Sequence, residues 1–120
     1  MHEYFPNGQL KSETSYLEGL LHGPSRFYSP EGVVLSESSF MRGKREGELR
    51  QYYPNGKLYC VQLFKEGLKE GRHEYFYPDG VLRTVEHYRN GRLHGEVLLY
   101  WPNGELKRSY TCEEGRRVRE

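Results

Sequence analysis

Residues 64–71 read Phe64-Lys65-Glu66-Gly67-Leu68-Lys69-Glu70-Gly71, and residues 77–82 read Tyr77-Pro78-Asp79-Gly80-Val81-Leu82. Together they form one copy of a block that recurs along the whole chain every 24 residues. Each of the 14 glycines belongs to one of three series with this period. The series are Gly8, Gly32, Gly56, Gly80 and Gly104; Gly19, Gly43, Gly67, Gly91 and Gly115; and Gly23, Gly47, Gly71 and Gly95. So strict a period is typical of a repeat protein.

The period divides the chain into five repeats, and we interpret residues 1–120 as a single repeat domain. The predicted repeats are 1–24, 25–48, 49–72, 73–96 and 97–120. Each residue also has a position within its 24-residue repeat, so that Tyr77 occupies position 5 and Gly80 occupies position 8. Equivalent positions are expected to have equivalent environments, because stacked repeats contact their neighbours in the same way.

The composition limits what five such repeats can build. Only 35% of the residues are hydrophobic and 29% are charged, which argues against a thick core of two packed layers. The 11 tyrosines, 5 phenylalanines and 1 tryptophan supply rings that can lie half exposed on a sheet. The formal net charge of +1 provides no basic field, so we expect no nucleic-acid partner.

We expect a soluble, cytoplasmic protein. No apolar run reaches the length of a membrane span, and the first five residues do not resemble a signal peptide. Cys60 and Cys112 lie two repeats apart, roughly 19 Å at about 4.8 Å per strand, which excludes a disulfide within an open sheet. Both are expected to be reduced thiols.

Two turns are predicted in every repeat. Positions 5–9 read aromatic or Ser, then Pro, then Asn, Glu or Asp, then Gly, which favours a three-residue hairpin loop with glycine in its left-handed position. Positions 16–20, as in Tyr88-Arg89-Asn90-Gly91-Arg92, are expected to form the same kind of loop without the proline. The segments between the turns are rich in β-forming residues. The chain is therefore predicted to be all-β, with five hairpins forming an elongated, twisted antiparallel meander of about ten strands.

Strict alternation between these turns would place all even positions on one face of the sheet and all odd positions on the other. The even face would carry aromatic and aliphatic ladders at positions 4, 10 and 16, and we expect it to be the core. The odd face is expected to be the adjustable surface. At position 11 it carries Lys11, Leu35, Tyr59, Arg83 and Lys107, and at position 5 it carries Phe5, Ser29, Tyr53, Tyr77 and Trp101.

The stretch Tyr52-Tyr53-Pro54-Asn55-Gly56-Lys57-Leu58, followed by residues 64–71, resembles the MORN repeat. It resembles more closely the variant of that repeat found in bacterial proteins termed YwqK-like antitoxins, and the resemblance covers all five repeats. It implies stacked hairpins in an elongated sheet, with a role in protein scaffolding, in contact with anionic lipids or as an antitoxin. The matching residues are turn glycines and ladder rings, so the resemblance assigns no functional residue.

Motifs for catalysis or metal binding are not apparent. His73 and His87 are predicted to lie diagonally on the odd face, without a third ligand or an orienting carboxylate. His22 lies three repeats from His94, which is expected to form a cross-strand polar pair with Glu86. No Ser-His-Asp arrangement, phosphate-binding loop or zinc motif is present. We therefore predict no catalytic, metal-binding or cofactor-binding residue, no cofactor, and no enzyme activity.

Three functional hypotheses follow. The one we favour is a non-catalytic protein-protein interaction scaffold, of which an antitoxin that binds a partner toxin is a special case. Its predicted partner-binding residues are Phe5, Tyr53, Tyr59, Tyr77 and Trp101. The first alternative is a module that binds anionic lipids at a membrane surface through cations at positions 20 and 21. These cations are Lys44, Arg45, Lys69, Arg92, Arg116 and Arg117. The second alternative is an accessory repeat domain of an enzyme.

The two outer strands of the array are expected to have uncapped edges, because the sequence starts at position 1 and stops at position 24. Such edges favour self-association with another chain, and we expect this over closure of the sheet into a ten-stranded barrel. A further alternative is that the chain belongs to a longer array.

Overall fold

The computed structural model describes residues 1–119, and that part of the chain contains strands and turns but no helix. The strands are β1 (His2–Tyr4), β2 (Leu10–Glu13), β3 (Tyr16–Leu17), β4 (Leu20–Leu21), β5 (Gly23–Tyr28), β6 (Val34–Met41), β7 (Lys44–Arg45), β8 (Gly47–Tyr52), β9 (Leu58–Lys65), β10 (Leu68–Lys69), β11 (Gly71–Phe76), β12 (Leu82–Arg89), β13 (Arg92–Leu93), β14 (Gly95–Tyr100), β15 (Leu106–Glu113) and β16 (Arg116–Arg119). The predicted all-β class is confirmed.

Within residues 1–119, 14 of the strands form one sheet. Its order is β1-β2-β5-β6-β8-β9-β11-β12-β14-β15-β16, with β7, β10 and β13 paired to β6, β9 and β12, while β3 and β4 form a separate pair. Consecutive strands pair antiparallel, so the predicted hairpin meander is confirmed. The Cα atoms span 49 × 35 × 14 Å, which is the shape of a broad single layer.

The turn at positions 5–9 has the predicted form. In the third repeat the N–H of Gly56 donates to the carbonyl of Tyr53 at 2.9 Å, and the N–H of Tyr53 donates to the carbonyl of Lys57 at 2.8 Å. The Oδ1 of Asn55 accepts a hydrogen bond from the N–H of Lys57 at 2.9 Å. Its Nδ2 donates to the carbonyl of Pro78 at 3.1 Å, which ties this turn to the turn of the next repeat.

The prediction for the second turn is wrong in its loop type. Asn90 and Gly91 both have positive φ, at 51° and 83°, and the residues on either side of them, Arg89 and Arg92, pair directly. This is a two-residue type I′ turn, whose twist matches that of the flanking strands, rather than a three-residue loop. The N–H of Gly91 donates to the carbonyl of Lys69 at 2.9 Å, so this row of turns is also linked from repeat to repeat.

A break at position 22 divides the strand that follows the type I′ turn. In the fourth repeat His94 separates β13 from β14, and the next residue, Gly95, has a φ of 112°. A Cβ atom on Gly95 would lie 3.2 Å from the Cβ of His87, so both the backbone conformation and the available space require glycine. The break explains why the sheet has more, shorter strands than the ten predicted.

A β-bulge at position 11 overturns the predicted division into an even and an odd face. In the fourth repeat Phe76 pairs with Leu82, as predicted for positions 4 and 10, but Tyr75 pairs with Thr84. Arg83 is the extra residue between these pairs, and the same shift occurs in all five repeats. Because a one-residue shift reverses the direction of every side chain beyond it, positions 12, 14 and 16 lie on the face opposite to position 10.

We call the two surfaces of the sheet the front face and the back face. The front face carries positions 1, 3, 5, 12, 14, 16 and 21, and the back face carries positions 2, 4, 10, 13 and 15. The bulged position 11 is on the front face, since the ring of Tyr59 lies 6.1 Å from that of Tyr75 at position 3. The ladder of positions 4 and 10 and the ladder of position 16, predicted to share one face, therefore lie on opposite faces.

Most of the fully buried side chains lie on the front face. Position 1 forms a buried row across four repeats, and its members are Ser25, Leu49, His73 and Val97. Cys60 and Cys112 are buried on the same face as free thiols, whereas Val85 is buried on the back face. The predicted division into a core of even positions and an adjustable surface of odd positions is therefore wrong. The bulge places even and odd positions together on each face.

The sheet is open. Within the described residues β1 pairs only with β2 and β16 pairs only with β15. The alternative of a ten-stranded barrel is therefore wrong, because every strand pair joins neighbours in sequence and no register links the first repeat to the last. Self-association through the two outer strands stays a prediction.

Candidate protein-binding face

All five predicted partner-binding residues lie on the front face. Phe5, Tyr53, Tyr77 and Trp101 stand at position 5 beside the proline turns, and Tyr59 is a bulged residue of position 11. A bulged residue has no cross-strand partner, so the ladder does not constrain its side chain. This accounts for the variety of residue types at position 11. Each repeat therefore presents on the front face one side chain whose identity the pairing of the strands does not dictate.

Two of the predicted residues belong to one ring cluster. Tyr53 and Tyr59 pack edge to face with ring centroids 5.2 Å apart, and Tyr59 packs in the same way on Tyr75 at 6.1 Å. The guanidinium carbon of Arg83 lies 5.7 Å from the ring centre of Tyr59 and 5.9 Å from that of Tyr75. The ring of Tyr75 is held in place by Gln62, whose Nε2 donates to the tyrosine oxygen at 2.7 Å.

Tyr53 and Tyr77 also have a structural role. The hydroxyl of Tyr53 donates to the carbonyl of Phe76 at 2.7 Å, and the hydroxyl of Tyr77 donates to the carbonyl of Tyr100 at 2.7 Å. Each bond joins position 5 of one repeat to position 4 of the next. These two tyrosines therefore fasten neighbouring repeats together while the flanks of their rings remain on the front face.

Phe5 and Trp101 do not join the tyrosine cluster. The Nζ of Lys11 lies 5.9 Å from the ring centre of Phe5, and the Nζ of Lys107 lies 4.6 Å from that of Trp101. The second repeat has no ring at position 5, where the Oγ of Ser29 instead accepts a hydrogen bond from its own turn. The ring row is therefore interrupted after the first repeat and continuous through repeats 3 to 5.

A second row of rings and cations crosses the front face near the type I′ turns. The guanidinium carbon of Arg45 lies 5.2 Å from the ring centre of Phe40 and 5.7 Å from that of Phe64. The Nζ of Lys69 lies 4.9 Å above the ring of Tyr88. Each contact of this kind contributes about 0.5 to 1 kcal/mol at an exposed site, and it holds the cationic group in one place.

Ion pairs lie mainly on the back face. The nitrogens and oxygens of three arginine-glutamate pairs are 2.6 to 3.2 Å apart. The pairs are Arg26–Glu37, Arg50–Glu48 and Arg72–Glu74. The hydroxyl of Tyr52 and the guanidinium of Arg26 hold the pKa of Glu37 below its ordinary value. Charges on the back face are therefore largely compensated.

The front face has no such compensation. Among the side chains that the structure describes, five front-face cations make no ion pair within 4.0 Å. They are Lys11, Arg45, Lys69, Arg83 and Lys107. The described strand carboxylates on this face, Glu3 and Glu86, each accept a hydrogen bond at 3.0 Å, from Ser12 and Tyr88 respectively. The front face consequently presents an excess of positive charge.

His73 lies at the centre of the front face and is fully buried. Its ring centroid is 6.2 Å from that of Phe64 and 4.7 Å from that of Tyr88. The Nε2 accepts a hydrogen bond from the N–H of Leu63 at 3.2 Å, and the buried Nδ1 has no partner among the described residues. Burial, together with the nearby charge of Lys69, lowers the pKa of His73 below its ordinary value.

The prediction that His73 and His87 share one face is wrong. His87 pairs with Arg72 on the back face, because the bulge reverses the direction of position 15. The expected pair of His94 and Glu86 is also wrong, since Glu86 pairs with His73 and the Nδ1 of His94 lies 3.9 Å from Glu114. In the part of the chain that the structure describes, no group of three His, Cys, Asp or Glu side chains is placed to hold a metal ion.

Sequence reasoning did not assign five side chains of this face to partner binding. They are Arg45, Lys69, Tyr75, Arg83 and Lys107, of which Arg45 and Lys69 were expected to bind anionic lipids. A signal was present at position 1, where Leu49 and Val97 are apolar although strict alternation assigned them to the surface. Apolar residues at both even and odd positions indicate that an extra residue lies between them in the strand. A β-bulge inserts such a residue.

Repeated hairpins stacked into one open sheet define the class to which this protein belongs, a β-hairpin repeat protein. The model of the MORN repeat variant matches residues 3–18, 21–41, 45–66, 69–90 and 93–111, and the chain belongs to this family. MORN repeats are a non-catalytic type that generally serves in interactions with proteins or membranes. Comparison with curated proteins finds no match. Within the described residues, no helix is long and apolar enough to cross a membrane.

Proposed function

We propose that this chain is a non-catalytic interaction scaffold that binds a protein partner on its front face in the cytoplasm. The observation that carries the proposal is the continuous row of rings and unpaired cations across repeats 3 to 5 on one side of a single-layer sheet. Tyrosine, tryptophan and arginine are the side chains that contribute most to binding between proteins. Two buried free thiols, Cys60 and Cys112, fit a reducing compartment.

The candidate residues divide into two groups under this proposal. Tyr59 and Trp101 make no hydrogen bond that fixes them to the next repeat, so they are the proposed direct contacts. Tyr53 and Tyr77 are held by their hydroxyls, and they contribute the flanks of their rings to the surface. Phe5 lies beyond the interruption in the second repeat and extends the surface only if the partner spans the whole sheet.

Site-specific photocrosslinking in living cells of the native host tests this proposal. A photoreactive phenylalanine analogue is placed at Tyr59 or Trp101 on the front face, and at Leu106, an exposed residue of the back face, as a control. We expect one protein adduct of the same mass from both front-face positions and none from Leu106. Failure to obtain an adduct at Tyr59, or the same adduct from Leu106, would contradict the proposal.

An antitoxin is the special case in which the partner is a toxin encoded beside this chain. If so, co-expression should relieve growth arrest caused by the neighbouring gene product, because a bound toxin is blocked. Tyr59→Ala should weaken this protection, whereas Tyr4→Ala, an exposed back-face change, should leave it intact. Growth arrest that persists in the presence of the unaltered chain would exclude the antitoxin role and leave the scaffold proposal standing.

A membrane-surface role is the second candidate, favoured by exposed apolar side chains along the row of type I′ turns. Leu17, Leu20, Met41 and Leu68 are each about half exposed, and Lys44 lies among them. Apolar side chains beside cations suit a membrane interface. The cations of position 20 and those of position 21 point to opposite faces, however, so they do not form the single basic edge that was expected. Flotation with anionic vesicles at physiological salt separates the candidates, since a protein-binding scaffold should remain unbound.

A further inference from the structure

The cations of the front face are held over aromatic rings rather than over carboxylates. Arg83 lies over Tyr59 and Tyr75, Lys107 over Trp101, and Lys69 over Tyr88. Contact with a ring limits the positions that such a cation can take, so it loses less conformational freedom when it binds a ligand. The N–H donors of a guanidinium lie in one plane, which suits bidentate pairing with a carboxylate.

We propose that the front face of repeats 3 to 5 binds an acidic polypeptide, whose Asp and Glu carboxylates pair with Arg83, Lys107 and Lys69. This inference rests on the proposed function and names the chemistry of the partner. The back face supplies the comparison within the same molecule, because its arginines are already paired with glutamates of this chain. Carboxylates from a partner would complete on the front face the pairing that the chain itself completes on the back face.

The arrangement of the rings and cations argues against the other anionic macromolecules. Proteins that bind single-stranded nucleic acid stack bases on open ring faces, but here the faces of Tyr59, Tyr75, Tyr88 and Trp101 are approached by cations. A membrane-surface binder needs its cations along one basic edge, whereas the cations of positions 20 and 21 point to opposite faces here. The front face presents cationic groups outward, and this suits carboxylates on another folded or extended chain.

The second repeat marks the limit of this surface. At positions 5 and 11 it has Ser29 and Leu35, so at these two positions it contributes neither ring nor cation. Arg83 and Lys107 occupy position 11 in adjacent repeats and are therefore about 10 Å apart, at ~4.8 Å per strand. The contact area of the acidic partner is accordingly centred on the third, fourth and fifth repeats.

Fluorescence anisotropy with a labelled oligoglutamate peptide tests the inference on the full chain. We expect saturable binding that weakens as salt is added, since the interaction is between exposed charges. Arg83→Gln should weaken binding about fivefold, and Arg83→Gln combined with Lys107→Gln about twentyfold, because the two sites are separate. Arg72→Gln is the matched control, since it removes an equal charge from an arginine of the back face that is already paired, and it should change affinity less than about twofold.

Arg83→Lys separates charge from stacking, and melting curves of all variants show that each still folds. Lysine should retain part of the binding, because the charge remains while the planar donors are lost. The absence of peptide binding by the unaltered chain would overturn the inference, and so would equal weakening by Arg72→Gln. Tighter binding of oligothymidylate, or of vesicles with equal parts phosphatidylcholine and phosphatidylserine, would also overturn it. If front-face crosslinks form but the peptide does not bind, the chemistry assigned to the partner is wrong and the scaffold function stands.

Discussion

At the scale of single residues, His73 is a polar side chain in the buried row of the front face. It lies in the buried row of position 1, whose other three members are serine, leucine and valine, and it is packed between Phe64 and Tyr88. One ring nitrogen accepts a hydrogen bond from the N–H of Leu63, and the other has no partner within residues 1–119. A neutral ring is favoured there, because burial and Lys69 both oppose a positive charge.

We predict that acid destabilises the fold through His73. Its pKa is lowered in the folded chain, so the unfolded chain takes up the proton first as the pH falls below the ordinary value of 6.5. Stability should be complete above that value and should then decrease by at most about 1.4 kcal/mol per pH unit for this one proton. Urea unfolding measured across this pH range tests the effect. His73→Gln should remove that component of the slope, and an unchanged slope would show that other groups cause it.

The hydroxyl of Tyr77 offers a second test at this scale. Tyr77→Phe removes the 2.7 Å hydrogen bond to the carbonyl of Tyr100 and leaves that carbonyl without this partner. We expect a loss of about 1 kcal/mol in the free energy of unfolding. Tyr4→Phe is the control, since Tyr4 is 63% exposed and its loss should be close to zero. Equal effects in urea melts would mean that the bond between repeats contributes nothing.

At the scale of the elements, the two kinds of turn differ in how well their residues suit the backbone. The proline turns have glycine at their left-handed position in every repeat. The type I′ turns need a positive φ at two residues, and only one of these is glycine. The first of the two is Glu18, Arg42, Glu66, Asn90 and Glu114 in the successive repeats. Asparagine tolerates this conformation better than glutamate or arginine.

Glu66→Asn should therefore stabilise the protein by about 0.5 to 1 kcal/mol. The reverse change, Asn90→Glu, should destabilise it by a similar amount, because Glu66 and Asn90 share a φ of 51°. Thermal unfolding of the two variants measures both effects. If both substitutions stabilised the protein, or both destabilised it, side-chain contacts rather than the conformation of the turn would determine which residue is preferred.

Substitutions at two glycines distinguish the energetic cost of backbone strain from the cost of steric contact. Gly80 has a φ of 98° with no atom within 4 Å of an added Cβ, so Gly80→Ala should cost about 1 kcal/mol from strain alone. Gly95→Ala adds a 3.2 Å contact with the Cβ of His87 and should cost at least about 2 kcal/mol. Urea melts compare the two. A larger loss for Gly80→Ala would contradict the close packing at the strand break.

At the scale of the whole molecule, the fold is an array in one dimension. Strands pair with neighbours in sequence, and bonds such as those of Asn55 and Gly91 join only adjacent repeats. Stability in such an array is approximately the sum of the repeats and their interfaces. The residues proposed to bind a partner are distributed unevenly over this regular array, since repeats 3 to 5 hold the continuous row of rings and cations.

Deletion of residues 25–48 should consequently leave a folded protein. The remaining repeats can stack with the same register, and the sheet should shorten by about 10 Å, which is two strand spacings. Far-ultraviolet circular dichroism and small-angle scattering measure the two properties. Binding of the oligoglutamate peptide should persist, because the residues proposed to bind it lie in repeats 3 to 5. Loss of all β structure would show that the repeats depend on contacts beyond their neighbours.

The repeat period, the hairpin meander and the proline turns could be predicted from the sequence, because they depend on glycines and prolines whose preferences are local. The composition of the front face could not be predicted. It depends on Arg83 and its equivalents, which bulge out of the ladder and reverse the direction of every later side chain in the strand. A bulge is decided by the pairing of two strands and by the sheet around them, so the face that joins Tyr59, Tyr75 and Arg83 was set only by the tertiary structure.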